Sequence, residues 1–270
     1  MKKYLKMVRN IIFFIGLNII ANIIVGSIYS IMNFTIYKTK SLESVQQSMM
    51  NNVYIITAIS ATITFIIYLL VLKNKSENLW QRCSFKKITP SYIYYSVFIA
   101  ISISVFTCPI ISLISEKFES YKQVSDSISA AYGSILSMLC IVILIPLFEE
   151  ILFRGLIFNE LKKNTNIILA VILQSLIFAL FHGNILQGMY AFILGIILCI
   201  LYLKTGSIWS NILCHIIYNL FGSLLMPLAL SYTKNYTFVY IGAGLITTAI
   251  LLISMFKKQT NSINSYNVKG

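Results

Sequence analysis

Acid–base side chains are scarce inside the apolar parts of this chain, and those present lie close together in sequence. The only two histidines, His182 and His215, both sit within apolar runs. Another apolar run, Ile141 to Arg154 (IVILIPLFEEILFR), carries Glu149, Glu150 and Arg154. Asn219 follows His215 by one helical turn, so all six groups fall within 71 residues. Carboxylates and imidazoles transfer protons near neutral pH, and an amide both donates and accepts hydrogen bonds. Two histidines and a glutamate (Glu149, His182, His215) also make a sensible zinc set with an open position. Each group has a plainer reading as well. A buried histidine can be a satisfied core residue, an asparagine can tie helices together, and a Glu–Arg pair can be a structural clamp. The company these rare groups keep argues against the plain reading, because polar side chains at membrane depth face the bundle interior and pair with one another.

Helical spacing divides the glutamates. At 3.6 residues per turn, Glu150 and Arg154 differ by about 40° and pair along one face, whereas Glu149 stands about 140° from Arg154. Glu150 is thus expected to be neutralised and structural, and Glu149 to be the available carboxylate. Pro146, just upstream, removes a backbone hydrogen bond and can re-aim the helix beyond it. In FALFH, Phe178 and His182 share a face, as do His215 and Asn219 in HIIYN. The HExxH arrangement of soluble zinc proteases is absent.

The helix that must carry EEILFR is marginal in a bilayer by itself. From Ile135 to Phe158 it has 16 Ile, Leu, Val or Phe residues. They contribute about 7 kcal/mol to insertion against roughly 9 for three charges. It needs polar partners from other helices. The chain as a whole is 270 residues long, 58% hydrophobic and 11% charged, which is the composition of a polytopic membrane protein. Its formal net charge of +13 comes from residues in short loops between apolar runs. The positive-inside rule accounts for them, and nucleic acid is not an expected partner. Five scattered cysteines without a CxxC pair are expected to be small buried core residues.

Hydropathy predicts an all-α bundle of about eight transmembrane helices in one integral membrane domain spanning residues 1–270. The spans are 11–34, 53–72, 92–115, 133–158, 166–182, 186–203, 207–230 and 236–256, followed by a polar cytoplasmic tail, 259–270. The first is too long for a cleaved signal peptide and is expected to be retained. An amino terminus in the cytoplasm places 15 basic residues in inner loops and termini and 5 (Lys38, Lys40, Lys117, Lys122, Lys234) outside, with Arg154 the twenty-first. Both termini are therefore expected on the cytoplasmic side of a cell membrane, which the composition suggests is bacterial. Gly242 and Gly244 are expected to permit close packing of the last helix.

EEILFRG, FALFH and HIIYN resemble the three signatures of the CPBP membrane proteases, EExxxR, FxxxH and HxxxN on successive late helices. That family includes the type II CAAX prenyl endopeptidases and many bacteriocin-immunity proteins. The resemblance covers about 133–230, the expected catalytic core, and implies an eight-helix intramembrane endopeptidase. It implies that Glu149, aided by His182, activates water, that His215 and Asn219 donate hydrogen bonds to the oxyanion, and that Glu150 and Arg154 support Glu149. The expected substrate is a membrane-associated peptide or protein within the lipid bilayer. A membrane scaffold or bacteriocin self-immunity protein that acts by binding a partner is the alternative. Glutamate chemistry without a required cofactor is favoured over zinc. The expected depths do not coincide: helical rise puts His215, Glu149 and His182 about 12, 18 and 25 Å from the cytoplasmic boundary. Helix tilt, or a fifth helix ending inside the bundle, would reconcile them.

Overall fold

The computed structural model describes residues 2–35 and 41–267, with side chains as far as Lys257. Lys38, Lys40, Lys269 and the side chains of the expected tail, 259–270, lie outside the described residues. Every element among the described residues is helical. The long apolar helices are α1 (Lys2–Thr35), α2 (Val53–Leu72), α3 (Pro90–Ile114) and α4 (Ile135–Asn164). They continue with α5 (Ile167–Phe181), α6 (Ile185–Thr205), α7 (Ile208–Tyr232) and α8 (Thr237–Asn267).

Seven of these are long and apolar enough to cross a membrane, and α5 is the exception. Its 15 residues reach about 22 Å, short of the roughly 30 Å hydrocarbon core. The expected eighth full span is thus a short apolar helix. Its end is built by local chemistry. Gly183 adopts φ +66°, a left-handed conformation that costs a residue without Cβ little. Asn184 then caps α6 by accepting from the Gln187 N–H at 3.1 Å. Two further helices, Leu42–Asn51 and Glu119–Ala131, occupy the segments expected to be outer loops. Both are polar and too short to span. Ser41, whose hydroxyl accepts from the Ser44 N–H, is the capping signal that marks the first.

α4 and α6 are the most buried of the spans, α1 and α8 the least. All eight residues from Ile151 to Phe158 are buried, so α4 is wrapped on every side there. The five cysteines are free and buried. Gly244, not Gly242, lets α8 approach α3: a Cβ at Gly244 would meet the Phe106 nitrogen at 2.5 Å, and one at Gly242 would meet nothing.

The short α5 and the segment before α3 bring the chemistry-bearing residues to one level. Glu149 stands fifteen residues above Asn164, and His182 fifteen above Ile167, so each is the same number of residues from the α4–α5 link. α7 starts higher. Residues 79–88 fold into the bundle, where Leu79 and Cys83 are buried and Cys83 abuts Gly155. The Ile208 N–H donates to the Ser84 carbonyl at 3.2 Å, and the Ser207 hydroxyl to the Lys86 carbonyl. Gly155 is nine residues (about 13 Å) above Asn164, and His215 seven residues (about 10 Å) above Ile208. The depths that conflicted in the sequence coincide in the fold.

That coincidence depends on Gly155, where a Cβ would overlap the Cys83 sulfur and lie 3.0 Å from the Cys83 Cβ. Gly155→Ala is expected to destabilise the protein by about 1–3 kcal/mol. Cys83→Ala in the same chain should recover part of that loss, measured as thermal stability in detergent.

Candidate active site

Glu150 and Arg154 are both fully buried and joined at 2.8 Å. The same Glu150 oxygen, Oε1, accepts from His215 Nδ1 at 2.7 Å. Arg154 also donates to the Gly195 carbonyl at 3.4 Å and lies 4.5 Å from the centre of the Phe178 ring. Phe178 is the hub that spacing alone did not reveal. Its ring meets the imidazoles of both His182 and His215 edge-on, at 4.8 and 5.9 Å between centroids.

Glu149 points elsewhere, as its angular offset from Arg154 predicts. Its side chain is 14% exposed, against 0% for Glu150, and its Oε2 lies 3.7 Å from His215 Nε2. That separation exceeds a hydrogen bond and leaves both atoms open to a third group. His182 directs Nδ1 to the Phe178 carbonyl at 2.8 Å. A carbonyl only accepts, so Nδ1 carries the proton and Nε2 keeps its lone pair in the neutral ring.

Asn219 and Pro146 explain one another. Cys140–Leu144 is a π-helical turn, in which the Ile145 N–H donates five residues back to the Cys140 carbonyl. The next bond of that series would run from residue 146 to the Ile141 carbonyl, and Pro146 has no N–H to give. Asn219 Nδ2 supplies the missing donor to Ile141 at 2.9 Å. Pro146 thus produces a π-turn, and its helix is tied to α7 there.

Glu149, His182, His215 and Asn219 all line one cavity of about 1200 Å³, while Glu150 and Arg154 lie outside it. Tyr54, Tyr190 and Tyr218 also line it, and their ordinary aromatic character gave no sign of this in the sequence. Among the described residues no three His, Cys, Asp or Glu side chains are gathered closely enough to hold a metal ion. Of the residues considered for zinc, His215 directs Nδ1 to Glu150 and holds Nε2 3.7 Å from Glu149 Oε2.

Residues 131–221, about a third of the chain, match the family described as type II CAAX prenyl endopeptidase Rce1-like. That stretch contains all three motifs and every residue of the polar cluster. Over this stretch the chain is similar to the CAAX proteases. The chain is also similar to the protein named "Putative membrane peptidase YdiL" from Bacillus subtilis (strain 168), at 34% identity over 76 residues. The match covers 28% of this chain and 31% of that relative, so the chain spans about a third of the relative's length. No solved structure shows a significant match. The matched stretch runs from the end of the second polar helix into α7, and α1 to α3, both polar helices and α8 lie wholly or largely outside it.

Two variants test the local account. Removing Glu150 strands Arg154 in an apolar interior, so Glu150→Ala is expected to cost about 3–5 kcal/mol in unfolding free energy. Asn219→Ala leaves the Ile141 carbonyl unpaired at a cost of about 1–3 kcal/mol. Pro146→Ala restores an N–H that can reach that carbonyl. A double-mutant cycle should therefore show the second change partly rescuing the first, and strict additivity would refute the pairing.

Proposed function

We propose that this protein is a membrane endopeptidase that hydrolyses a peptide bond of a membrane-associated peptide or protein. One observation carries the reading: of two adjacent intramembrane glutamates, one is sealed against Arg154 and the other opens onto a large cavity beside His215. A protein that needed only a clamp would have no use for the second.

In this reading Glu149 and the free Nε2 of His182 take a proton from a water held between them. The resulting hydroxide adds to the carbonyl carbon of the scissile bond. As an imidazolium, His215 donates from both nitrogens, Nδ1 to Glu150 and Nε2 to the developing oxyanion. Asn219 keeps one N–H on the Ile141 carbonyl and has a second available for the same oxyanion. The tetrahedral intermediate collapses as the C–N bond breaks, and the proton held by Glu149 or His182 passes to the departing amine. The products are a carboxylic acid and an amine, which ionise to carboxylate and ammonium as they leave. Glu150, Arg154 and the Phe178 ring hold His215 and do no chemistry themselves. In this reading the chain's own side chains carry every step.

Glu149→Gln removes the base and keeps the shape. It is expected to lower cleavage of a membrane-reconstituted peptide by at least about 10²-fold, with thermal stability and membrane insertion unchanged. Wild-type protein purified in chelator should retain its activity. Full activity of the glutamine variant would overturn the assignment of Glu149, and abolition by chelator with restoration by zinc would overturn the metal-free mechanism.

A further inference from the structure

The cavity opens toward one end of the bundle only. α4 lines it from Ile141 to Glu149 and contributes nothing after Glu149. α7 lines it from His215 to Ser223 and contributes nothing before His215. α6 lines it with its first half, as far as Leu194. The space therefore begins at the level of Glu149 and runs to the end where α4 and α6 start. The rim there is formed by the helices Leu42–Asn51 and Glu119–Ala131 and by the α5–α6 turn. Asn184 Nδ2 donates to the Ser120 hydroxyl across the rim at 3.1 Å.

The opposite end is basic. Lys73, Lys75, Lys86, Lys87, Lys162 and Lys163 lie there, and the segments that bear them are held together by the Lys163–Glu77 and Arg82–Glu160 ion pairs at 2.7 and 3.3 Å. Loops rich in lysine and arginine stay in the cytoplasm. The Lys and Arg side chains that end carries, against the few at the rim, set the orientation of the whole bundle.

We propose that the cavity opens at the extracytoplasmic surface and takes an uncharged stretch of a membrane-anchored chain presented there. Charge supports the choice of ligand. Among the described lining residues Glu149 is the sole Asp, Glu, Lys or Arg, and apart from His182 and His215 the other polar groups are neutral, such as Gln46, Gln123 and Gln187. No lysine or arginine is present to hold a terminal carboxylate, and a charged side chain drawn into the outer walls would go unpaired. The exposed apolar side chains of Ile19, Ile23 and Leu180 also line the cavity, so its wall continues into the lipid-facing surface. An anchored segment reaches the site without leaving the bilayer. A chain lipidated at the cytoplasmic surface would approach the closed, basic end.

The substrate half of this inference rests on the hydrolase reading, and the sidedness does not. Single cysteines replace exposed residues, Gln123→Cys at the rim and Asn74→Cys at the basic end, in a chain whose own five cysteines are buried. Intact cells are treated with a membrane-impermeant maleimide. Gln123→Cys should label in intact cells and Asn74→Cys only after lysis; any other pattern overturns the sidedness. Spheroplasts are then given two polymer-tethered, lipid-anchored fluorogenic peptides, one uncharged and one with lysines flanking the central bond. The uncharged peptide should be cleaved at least about tenfold faster, and not at all by Glu149→Gln. Equal cleavage of both overturns the substrate class. Correct labelling with neither peptide cut faults the hydrolase reading and leaves the orientation standing.

Discussion

A single carboxylate oxygen, Oε1 of Glu150, holds the core of this protein together. It receives Arg154 from its own helix and His215 from α7, in a place without solvent. A charge buried that deeply is tolerated only when it is paired and hydrogen-bonded. The pairing therefore constrains three helices together. α4 must present Glu150 and Arg154 inward, α7 must present His215, and α5 must lay Phe178 against the guanidinium. Glu149, one residue away, is left unpaired by the same geometry, and the cavity is where it can remain so.

The backbone adjusts to serve that constraint. A regular helix through Pro146 would leave a carbonyl without a donor and would clash one turn back. The π-turn at Cys140–Leu144 relieves the clash, and Asn219 pairs the carbonyl that is left. Asn219 thus meets a structural need of α4 while it borders the cavity.

Level is the other requirement. Three residues that start at different distances from their helix ends arrive at one height because α5 is short and because 79–88 folds inward to carry the start of α7 with it. Gly155 permits that inward fold, and Gly195 permits α5 to lie close to α6, where a Cβ would meet Ser175 at 3.0 Å. Small residues at these two crossings do for helix packing what the polar residues do for charge.

Much of this was legible in the chain. Apolar runs of sufficient length, separated by basic loops, can be satisfied only by a helical membrane bundle. The four-residue step from Glu150 to Arg154 determined which glutamate would be neutralised, because that step fixes a face on any helix, and the scarcity of other polar groups marked the partners. The bounds of α5 were legible to within a residue at each end, because polar Asn166 and the Gly183–Asn184 turn bracket its apolar run. The two polar helices at the rim look like loops in one dimension because periodicity is weak in short polar segments. The contacts of Phe178 with Arg154 and His215, the tyrosines of the cavity and the Pro146–Asn219 tie were also beyond reach. Each depends on which helices lie side by side, and a one-dimensional pattern carries distances along a helix but not between helices. The sequence by itself determined the membrane bundle, the motif residues and the split between the glutamates. Only the tertiary structure decided that Glu149, His182, His215 and Asn219 share one level and one cavity, because both follow from long-range packing at Gly155, Cys83 and Phe178.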